Sequence, residues 1–252
     1  MLKPGDRIVR LPRNELPMFA HKDRVTGILA TSRAVNRKDI SFKLAEYGML
    51  VMSKIGLMKR AATLSEADHL LWLDAGLSRF LPDLTEATVA RSAADLDGVS
   101  ILLSTSYHLS QRQRIGKIPH RTVGSTLSLM SAGDFLLARG FAGELDARFR
   151  FMVETEWLPE GRWDNEQVAL GCLLFRGGLP GARILHTDVG PLAPTTRWLF
   201  GAPFYRRPVK MHEWKYFLRD EIRIRLTPAR DCYLPGDFPE ARYSAWRAAS
   251  RQ

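Results

Sequence analysis

The sequence predicts an α/β fold in which a mixed, mostly parallel central sheet is flanked by helices. Residues 69–73 and 99–104 form short, continuous apolar runs, which are typical of strands buried on both faces. Stretches of about ten to twenty residues with helical spacing of apolar side chains lie between such runs. Strands that alternate with helices of this length favour one sheet with helices packed on both of its sides.

The N-terminal part of the chain predicts a short strand and a long helix before the first buried run. Residues 7–11 (RIVRL) have the composition of a strand, and a proline-containing turn follows them. Residues 46–64 place Leu50, Ile55 and Met58 at intervals that bring them to one side of a helix. The buried strand at residues 69–73 follows this helix directly.

The middle of the chain predicts another strand and then a helix. Residues 122–130 (TVGSTLSLM) alternate between apolar and small polar residues, and Gly124 permits another backbone to approach closely. The next four residues (SAGD) match a capping box with an aspartate in place of the usual longer acid. We therefore expect a helix that begins at Ser131 and continues, with a break at Gly140 or Gly143, to about residue 153.

Residues 164–178 predict a helix with defined ends. Asp164 has the properties of an N-cap, and Gln167 three residues later completes a D-x-x-Q capping box. Gly177 and Gly178 are typical of a helix stop. Residues 183–186 (RILH) predict a last short strand.

The chain predicts one main domain, residues 1–190, and a C-terminal appendage, residues 191–252. The appendage is rich in aromatic and basic residues and is interrupted by prolines. We expect it to pack on the same domain, because no second independent apolar core is evident in it.

Composition limits the classes of partner. The chain has 252 residues, 45% of them hydrophobic, and a formal net charge of +10. A basic surplus favours anionic partners such as nucleotide phosphates, nucleic acid or an anionic membrane surface. Because the basic residues are dispersed and no nucleic-acid-binding motif is present, nucleic acid is not expected, whereas peripheral contact with an anionic membrane surface stays open.

Cysteine content and hydropathy favour particular cellular compartments for the protein. Only two cysteines occur, and no apolar run approaches the roughly 18 residues that span a bilayer. We expect a cytoplasmic protein, in solution or at the inner face of the membrane. Walker A, G-x-S-x-G, G-x-G-x-x-G and H-E-x-x-H sequences are all missing, which removes the usual support for NTPase, hydrolase, dehydrogenase and metalloprotease activities.

Asp74 directly follows the first buried run, in the sequence LLWLDAG. In open α/β sheets ligands bind beyond the carboxyl ends of the strands, and Ala75 and Gly76 leave room for a ligand beside the backbone. The Asp74 carboxylate could therefore hold a divalent cation that in turn binds a diphosphate. The alternative is a structural aspartate that caps a turn.

Glu166 and His186 are further candidates. The capping box accounts for Asp164 and Gln167 but leaves Glu166 unexplained, so the Glu166 carboxylate could act as a general base or bind sugar hydroxyls. His186 ends the last predicted strand and is a candidate metal or phosphate ligand. A structural role is open for each of these residues.

Two segments resemble the HtrL/YibB-like family of bacterial proteins, which are similar to GT-A-type glycosyltransferases. The sequence YGMLVMSKIGLMKRAA precedes HLLWLDAGLSRF, and Tyr47, Ser53, Lys54, Trp72, Asp74, Gly76 and Arg79 match the family pattern. Gly124 and the sequence NEQ at residues 165–167 match later parts of it. The similarity extends over about residues 42–174.

The resemblance implies a GT-A-like sheet and a transferase that uses a nucleotide-sugar donor. It implies donor binding by Lys54, Asp74, Gly76 and Arg79, acceptor binding by Gly124 and Gln167, and catalysis by Asp164 and Glu166. It also implies Mn²⁺ or Mg²⁺ as cofactor, for which Asp74 and His186 are the candidate ligands. The expected acceptor is a surface-polysaccharide or lipopolysaccharide-type glycan, free or lipid-linked.

The sequence departs from the family pattern at three points, one of which is Asn165 in place of an expected aspartate. It offers D-x-G where GT-A enzymes carry D-x-D, and little precedes residues 7–11, so the first strand of that fold is expected to be missing. These departures leave an alternative open, namely a non-catalytic protein that binds a glycan or an anion.

Overall fold

The computed structural model describes residues 8–32, 40–77, 81, 89–120, 129–186, 193–202 and 211–250. Its strands are β1 His69–Leu73, β2 Ile101–Thr105, β3 Ile118–Pro119, β4 Met130–Ala138, β5 Ala182–His186 and β6 Cys232–Tyr233. Its helices are α1 Lys22–Thr31, α2 Ile40–Lys43, α3 Ala45–Met52, α4 Lys54–Leu64, α5 Tyr107–Ile115, α6 Ala142–Met152, α7 Glu166–Phe175, α8 Pro194–Leu199, α9 Met211–Leu226 and α10 Glu240–Ala249.

A four-stranded mixed sheet in the order β1-β4-β2-β5 forms the centre of the fold. Strand β4 is antiparallel to both of its neighbours, and only β2 and β5 pair in parallel. The strands β1, β2 and β5 therefore share one direction, and their carboxyl ends lie at the same end of the sheet. The expected mixed α/β architecture is confirmed, but most neighbouring strands are antiparallel because β4 inserts between β1 and β2.

Helices cover both faces of this sheet. The main core lies on the face covered by α4, α6 and α7, where Phe135 and Leu137 of β4 are fully buried. A smaller core lies on the opposite face, where Trp198 of α8 packs with Leu102 and Leu136. Because β4 sends Phe135 to one core and Leu136 to the other, it is buried on both sides.

The helix expected from Ser131 is wrong over residues 131–138, which belong to β4, whereas its second part is confirmed as α6. The SAGD sequence satisfies a local capping pattern, but strands β1 and β2 pair with both edges of this segment and determine its conformation. Asp134 does cap a helix, although not one that it begins. Its Oδ2 accepts a hydrogen bond from the Thr196 amide in the first turn of α8 at 2.7 Å.

The other strands and helices expected from the sequence are confirmed in part. The strands at residues 69–73 and 183–186 are confirmed, and the run at 99–104 corresponds to β2, displaced by one or two residues. The helix at 46–64 is present as α3 and α4, which meet at Ser53. Residues 8–11 form no strand, and most of the strand expected at 122–130 lies outside the described residues.

The residues after 193 pack on the same body. Helix α8 covers the smaller core, α10 packs on α6, and α9 packs on α5. Tyr233, Phe238 and Tyr243 are buried in the main core. Among the described residues, no helix combines the length and the apolar character that crossing a bilayer requires.

Candidate functional site

The side chain of Lys54 joins two acidic residues that are far apart in sequence. Its Nζ lies 3.0 Å from Asp74 Oδ2 and 2.9 Å from Glu166 Oε1. A third contact, of 3.1 Å, reaches the carbonyl oxygen of Ala132 in β4. A lysine ammonium has three N–H donors, so these contacts occupy all of them. The two carboxylates bound to one ammonium lie within about 6 Å of each other.

Three elements bring these residues together. Lys54 is the first residue of α4, which packs against β1. Asp74 follows β1, and its amide donates to the Gly133 carbonyl at 2.8 Å, which extends the β1–β4 pairing by one residue. Glu166 is the first residue of α7, which packs on β4. The site therefore lies where α4 and α7 begin, beside the carboxyl end of β1.

The N-cap of α7 is Asn165, not Asp164 as expected. Asn165 Oδ1 accepts from the Val168 amide at 3.0 Å, while Asp164 Oδ1 accepts from the Asn165 amide at 2.9 Å. The cap is displaced by one residue because Asn165 has the extended conformation that an N-cap requires. The glycine stop is confirmed at Gly177, which has a φ of 81°.

Lys54 stays protonated in this buried environment. Burial alone would lower the pKa of Lys54, but the neighbouring carboxylates of Glu166 and Asp74 outweigh it and raise the pKa above its usual value. Lys54 is therefore an ammonium at neutral pH. The carboxyl groups of Asp74 and Glu166 share this one positive charge.

Asp74 is the solvent-facing member of the cluster, since its side chain is 38% exposed while those of Lys54 and Glu166 are buried. The two oxygens of Asp74 are oriented by different donors. Oδ2 accepts from Lys54, and Oδ1 accepts from Trp72 Nε1 at 2.7 Å. Trp72 is itself held by stacking on Phe135. Asp74 is thus a fixed acceptor that solvent, or a ligand, can reach.

The structure places the remaining predicted residues as follows. Asp164 is buried beside Glu166, and Gln167 is half-buried in the first turn of α7. Gly76 is exposed, and open space surrounds the position where a side chain would begin. Arg79 and Gly124 lie outside the described residues.

The described residues do not fit the expected Mn²⁺ or Mg²⁺ site. His186 ends β5 and Asp74 follows β1, at opposite edges of the sheet, roughly 14 Å apart by strand spacing. Lys54 already occupies the position between the Asp74 and Glu166 carboxylates where a cation would bind. The described part of the chain holds no group of three or more His, Cys, Asp or Glu residues that could bind a metal.

Two residues that had been assigned no role in binding or catalysis contribute to this site. Trp72 orients Asp74. The sequence does indicate this contact, because residues two apart in a strand project to the same face. Gly133 leaves space for Asp74 and Leu77: a Cβ on Gly133 would lie 2.9 Å from Leu77 Cδ1 and 3.6 Å from Asp74 Oδ2. The need for a glycine at this position was not evident, because the SAGD sequence was interpreted as the start of a helix.

A second polar group lies on the opposite face of the sheet, under α8. Asp134 is fully buried, and its burial raises its pKa to about 6 even though the Thr196 amide donates to it. Ser104 and Thr195 lie beside it, with their hydroxyl oxygens 3.2 Å apart. This group is closed to solvent and connects α8 to the sheet.

Comparisons of the chain with protein-family models, curated proteins and solved structures find no match. The geometry provides a fixed, partly exposed carboxylate, Asp74. A buried lysine holds a second carboxylate, Glu166, next to it.

Proposed function

We propose that the chain is a GT-A-like glycosyltransferase that moves a sugar from a nucleotide-sugar donor to a surface-polysaccharide or lipopolysaccharide-type acceptor. The observation that supports this proposal is the contact of Lys54 with both Asp74 and Glu166. These residues belong to the separate segments that carry the family resemblance. A mixed α/β sheet with an aspartate at the carboxyl end of a strand is compatible with this class.

Each residue of the cluster has a distinct role in this proposal. Asp74 accepts hydrogen bonds from hydroxyl groups of the donor, because its carboxylate is exposed and oriented. Glu166 takes the proton of the acceptor hydroxyl as that oxygen attacks the anomeric carbon and the bond to the nucleoside diphosphate breaks. Lys54 is a positioning residue, since all three of its donors are used within the protein. In this role Lys54 does not contact the nucleotide sugar directly, unlike the donor-binding role that the resemblance implied.

No step of the proposal runs through a metal ion. The donor's diphosphate carries negative charge that a GT-A-like enzyme has to stabilise as the leaving group departs. Dependence on Mn²⁺ or Mg²⁺ stays a prediction, and the assay below measures it directly.

The test is release of nucleoside diphosphate from a panel of nucleotide sugars, with and without Mn²⁺ or Mg²⁺. We expect turnover by the full chain. Asp74→Asn and Glu166→Gln should each lower kcat/KM by at least about 100-fold, as loss of a transition-state contact typically does. The matched controls are Asp68→Asn, which removes an exposed carboxylate just before β1, and Glu66→Gln, which removes an exposed glutamate.

Two outcomes would contradict the proposal. One is the absence of turnover and of nucleotide binding across the panel. The other is an Asp74→Asn protein that is unfolded by circular dichroism while Asp68→Asn is folded, which would assign Asp74 a structural capping role.

A non-catalytic glycan- or anion-binding protein is the second candidate. The observation that favours it is the internal pairing of the cluster, because networks of buried ions are also common as purely structural features. Calorimetry with glycans and nucleotide sugars distinguishes the two candidates. Binding that persists in Glu166→Gln without turnover in the parent protein would favour this alternative.

A further inference from the structure

Helix α9 displays an exposed row of large apolar side chains, Trp214, Leu218, Ile222 and Leu226. Their exposed fractions are 51%, 62%, 52% and 77%. The four residues are spaced at intervals of four, so they follow one another along a single side of the helix. We call this row the α9 ridge. Its exposure contrasts with Phe217 and Ile224, which are buried on the opposite side of the same helix.

A row of basic residues runs beside the ridge. Lys215, Arg219 and Arg223 each follow a ridge residue by one position, and all three are exposed. The acidic residues of the helix whose side chains are described, Asp220 and Glu221, are mostly buried and form ion pairs with arginines. The outer side of α9 therefore combines apolar and positively charged groups.

The domain holds α9 in place independently of any partner. Gln111 Nε2 of α5 donates to the Phe217 carbonyl at 2.9 Å, and the fully buried Arg112 of α5 forms an ion pair with Asp220. The helix is consequently formed before its outer side contacts anything. No ordering of a disordered segment is needed for it to bind a surface.

An open groove continues the same surface at the C-terminal end of α9. It has a volume of about 710 Å³ and is lined by Arg219, Ile222, Arg223 and Leu226 of α9 together with Pro119, Thr227, Pro228 and one acidic residue, Asp231. The groove combines apolar side chains with guanidinium groups, as the α9 ridge and the basic row beside it do. The apolar and basic surface is thus longer than the helix alone.

We infer that the outer side of α9 docks the protein onto the surface of an anionic phospholipid bilayer. Amphipathic helices with Trp and Leu on one side and Lys or Arg beside them lie in the membrane interface, with their apolar groups between the lipid headgroups. Anionic headgroups complement the basic row. A second copy of this chain packed on the ridge around a two-fold axis would bring two basic rows together, which like-charge repulsion disfavours.

The test is sedimentation of the full chain with vesicles of phosphatidylcholine alone, or with about 30% phosphatidylglycerol, at two salt concentrations. We expect at least about fivefold more protein bound to the anionic vesicles, and less at high salt, because headgroup attraction is screened. Leu218→Glu/Ile222→Glu should reduce binding to anionic vesicles at least about tenfold. Lys215→Gln/Arg219→Gln should remove most of the preference for anionic vesicles.

The matched control is Leu50→Glu/Leu64→Glu, which introduces the same two charges at exposed leucines of α3 and α4. It should bind vesicles as the parent protein does. All variants are checked by thermal unfolding, since the substituted residues are exposed and should leave the fold intact.

Three outcomes would overturn the inference. They are absence of binding by the parent protein to anionic vesicles, unchanged binding by Leu218→Glu/Ile222→Glu, and a parent dimer in light scattering that this variant converts to a monomer. The assay contains no nucleotide sugar, so its failure is distinguishable from failure of the proposed transferase activity.

Discussion

The ammonium of Lys54 balances two carboxylates inside the protein, so its removal should destabilise the fold. Lys54→Met keeps the length of the side chain but leaves Glu166 buried without its cation. We expect a loss of about 3–5 kcal/mol in the free energy of unfolding, measured by urea titration at pH 7.5. Because the pKa of Lys54 is raised above 10.5, its contribution is fully present below that pH and is lost only as pH rises through the higher folded-state value.

Lys22→Met is the control for this prediction. Lys22 also pairs with a glutamate, Glu46, at 2.8 Å, but both side chains are exposed. An exposed pair contributes less than about 1 kcal/mol. Equal losses in the two variants would contradict the role of Lys54 as the centre of a buried cluster.

The buried Asp134 should lower the free energy of unfolding as pH rises, which is opposite to the effect of most acidic residues. Burial raises its pKa to about 6 from 3.8, so the folded state binds a proton more readily than the unfolded state does. The stability that this proton provides is present below pH 3.8 and is lost as pH rises to about 6. The ionised Asp134 is therefore unfavourable at neutral pH.

Asp134→Asn should be more stable than the parent protein by up to about 2 kcal/mol at pH 7.5, because the amide keeps an acceptor for the Thr196 amide without the buried charge. The advantage should disappear near pH 4. Urea titrations at both pH values measure it, with the exposed Asp97→Asn as control. A variant that is less stable than the parent protein at pH 7.5 would mean that the negative charge at the start of α8 is needed.

The packing of α7 on β4 depends on Gly171. A Cβ at this position would lie 2.4 Å from Leu129 Cβ, an atom that cannot rotate away because it is attached to the backbone. Gly171→Ala should therefore destabilise the protein by about 1–3 kcal/mol in urea titrations, despite the better helix propensity of alanine.

Gly27 provides the matched comparison for Gly171. It is exposed within α1, and nothing lies within 4 Å of the position of its Cβ. Gly27→Ala should stabilise the protein by about 0.5–1 kcal/mol, since only the helix propensity changes. Stabilisation in both variants would contradict the close contact between α7 and residue 129.

Elements with a clear local pattern could be predicted from the sequence, whereas β4 could not. The strands β1 and β5 were located because apolar runs bounded by polar residues determine them locally. The first residues of β4 carry a capping pattern, and only their pairing with β1 and β2 decides against a helix. Neighbours that are distant in the sequence override a local preference at this point.

The members of the candidate site could also be predicted, but their arrangement could not. Lys54, Asp74 and Glu166 were all selected as site residues. Their contacts connect positions 20 and 112 residues apart, and the spacing of residues along the chain contains no information about such contacts. For this reason Lys54 was expected to bind the nucleotide sugar, although its three N–H groups are occupied within the protein.

In the part of the whole molecule that the structure describes, buried arginines are paired with acidic residues. Arg148 pairs with Glu144 and Glu240, and Arg176 pairs with Glu156 and Asp237. The positive charge beside the α9 ridge is instead carried by exposed residues, Lys215, Arg219 and Arg223. An anionic partner follows from this distribution more directly than from composition.

The position of β4 in the sheet has a consequence for synthesis of the chain. Strands β1 and β2 are complete by residue 105, but they are not neighbours, and each pairs with β4, which ends at residue 138. At about 5–20 residues per second, a ribosome takes a few seconds to add the missing segment. During that interval the edges of two apolar strands, β1 and β2, are unpaired. These edges make the nascent chain prone to aggregation during that interval and offer apolar binding sites for a chaperone.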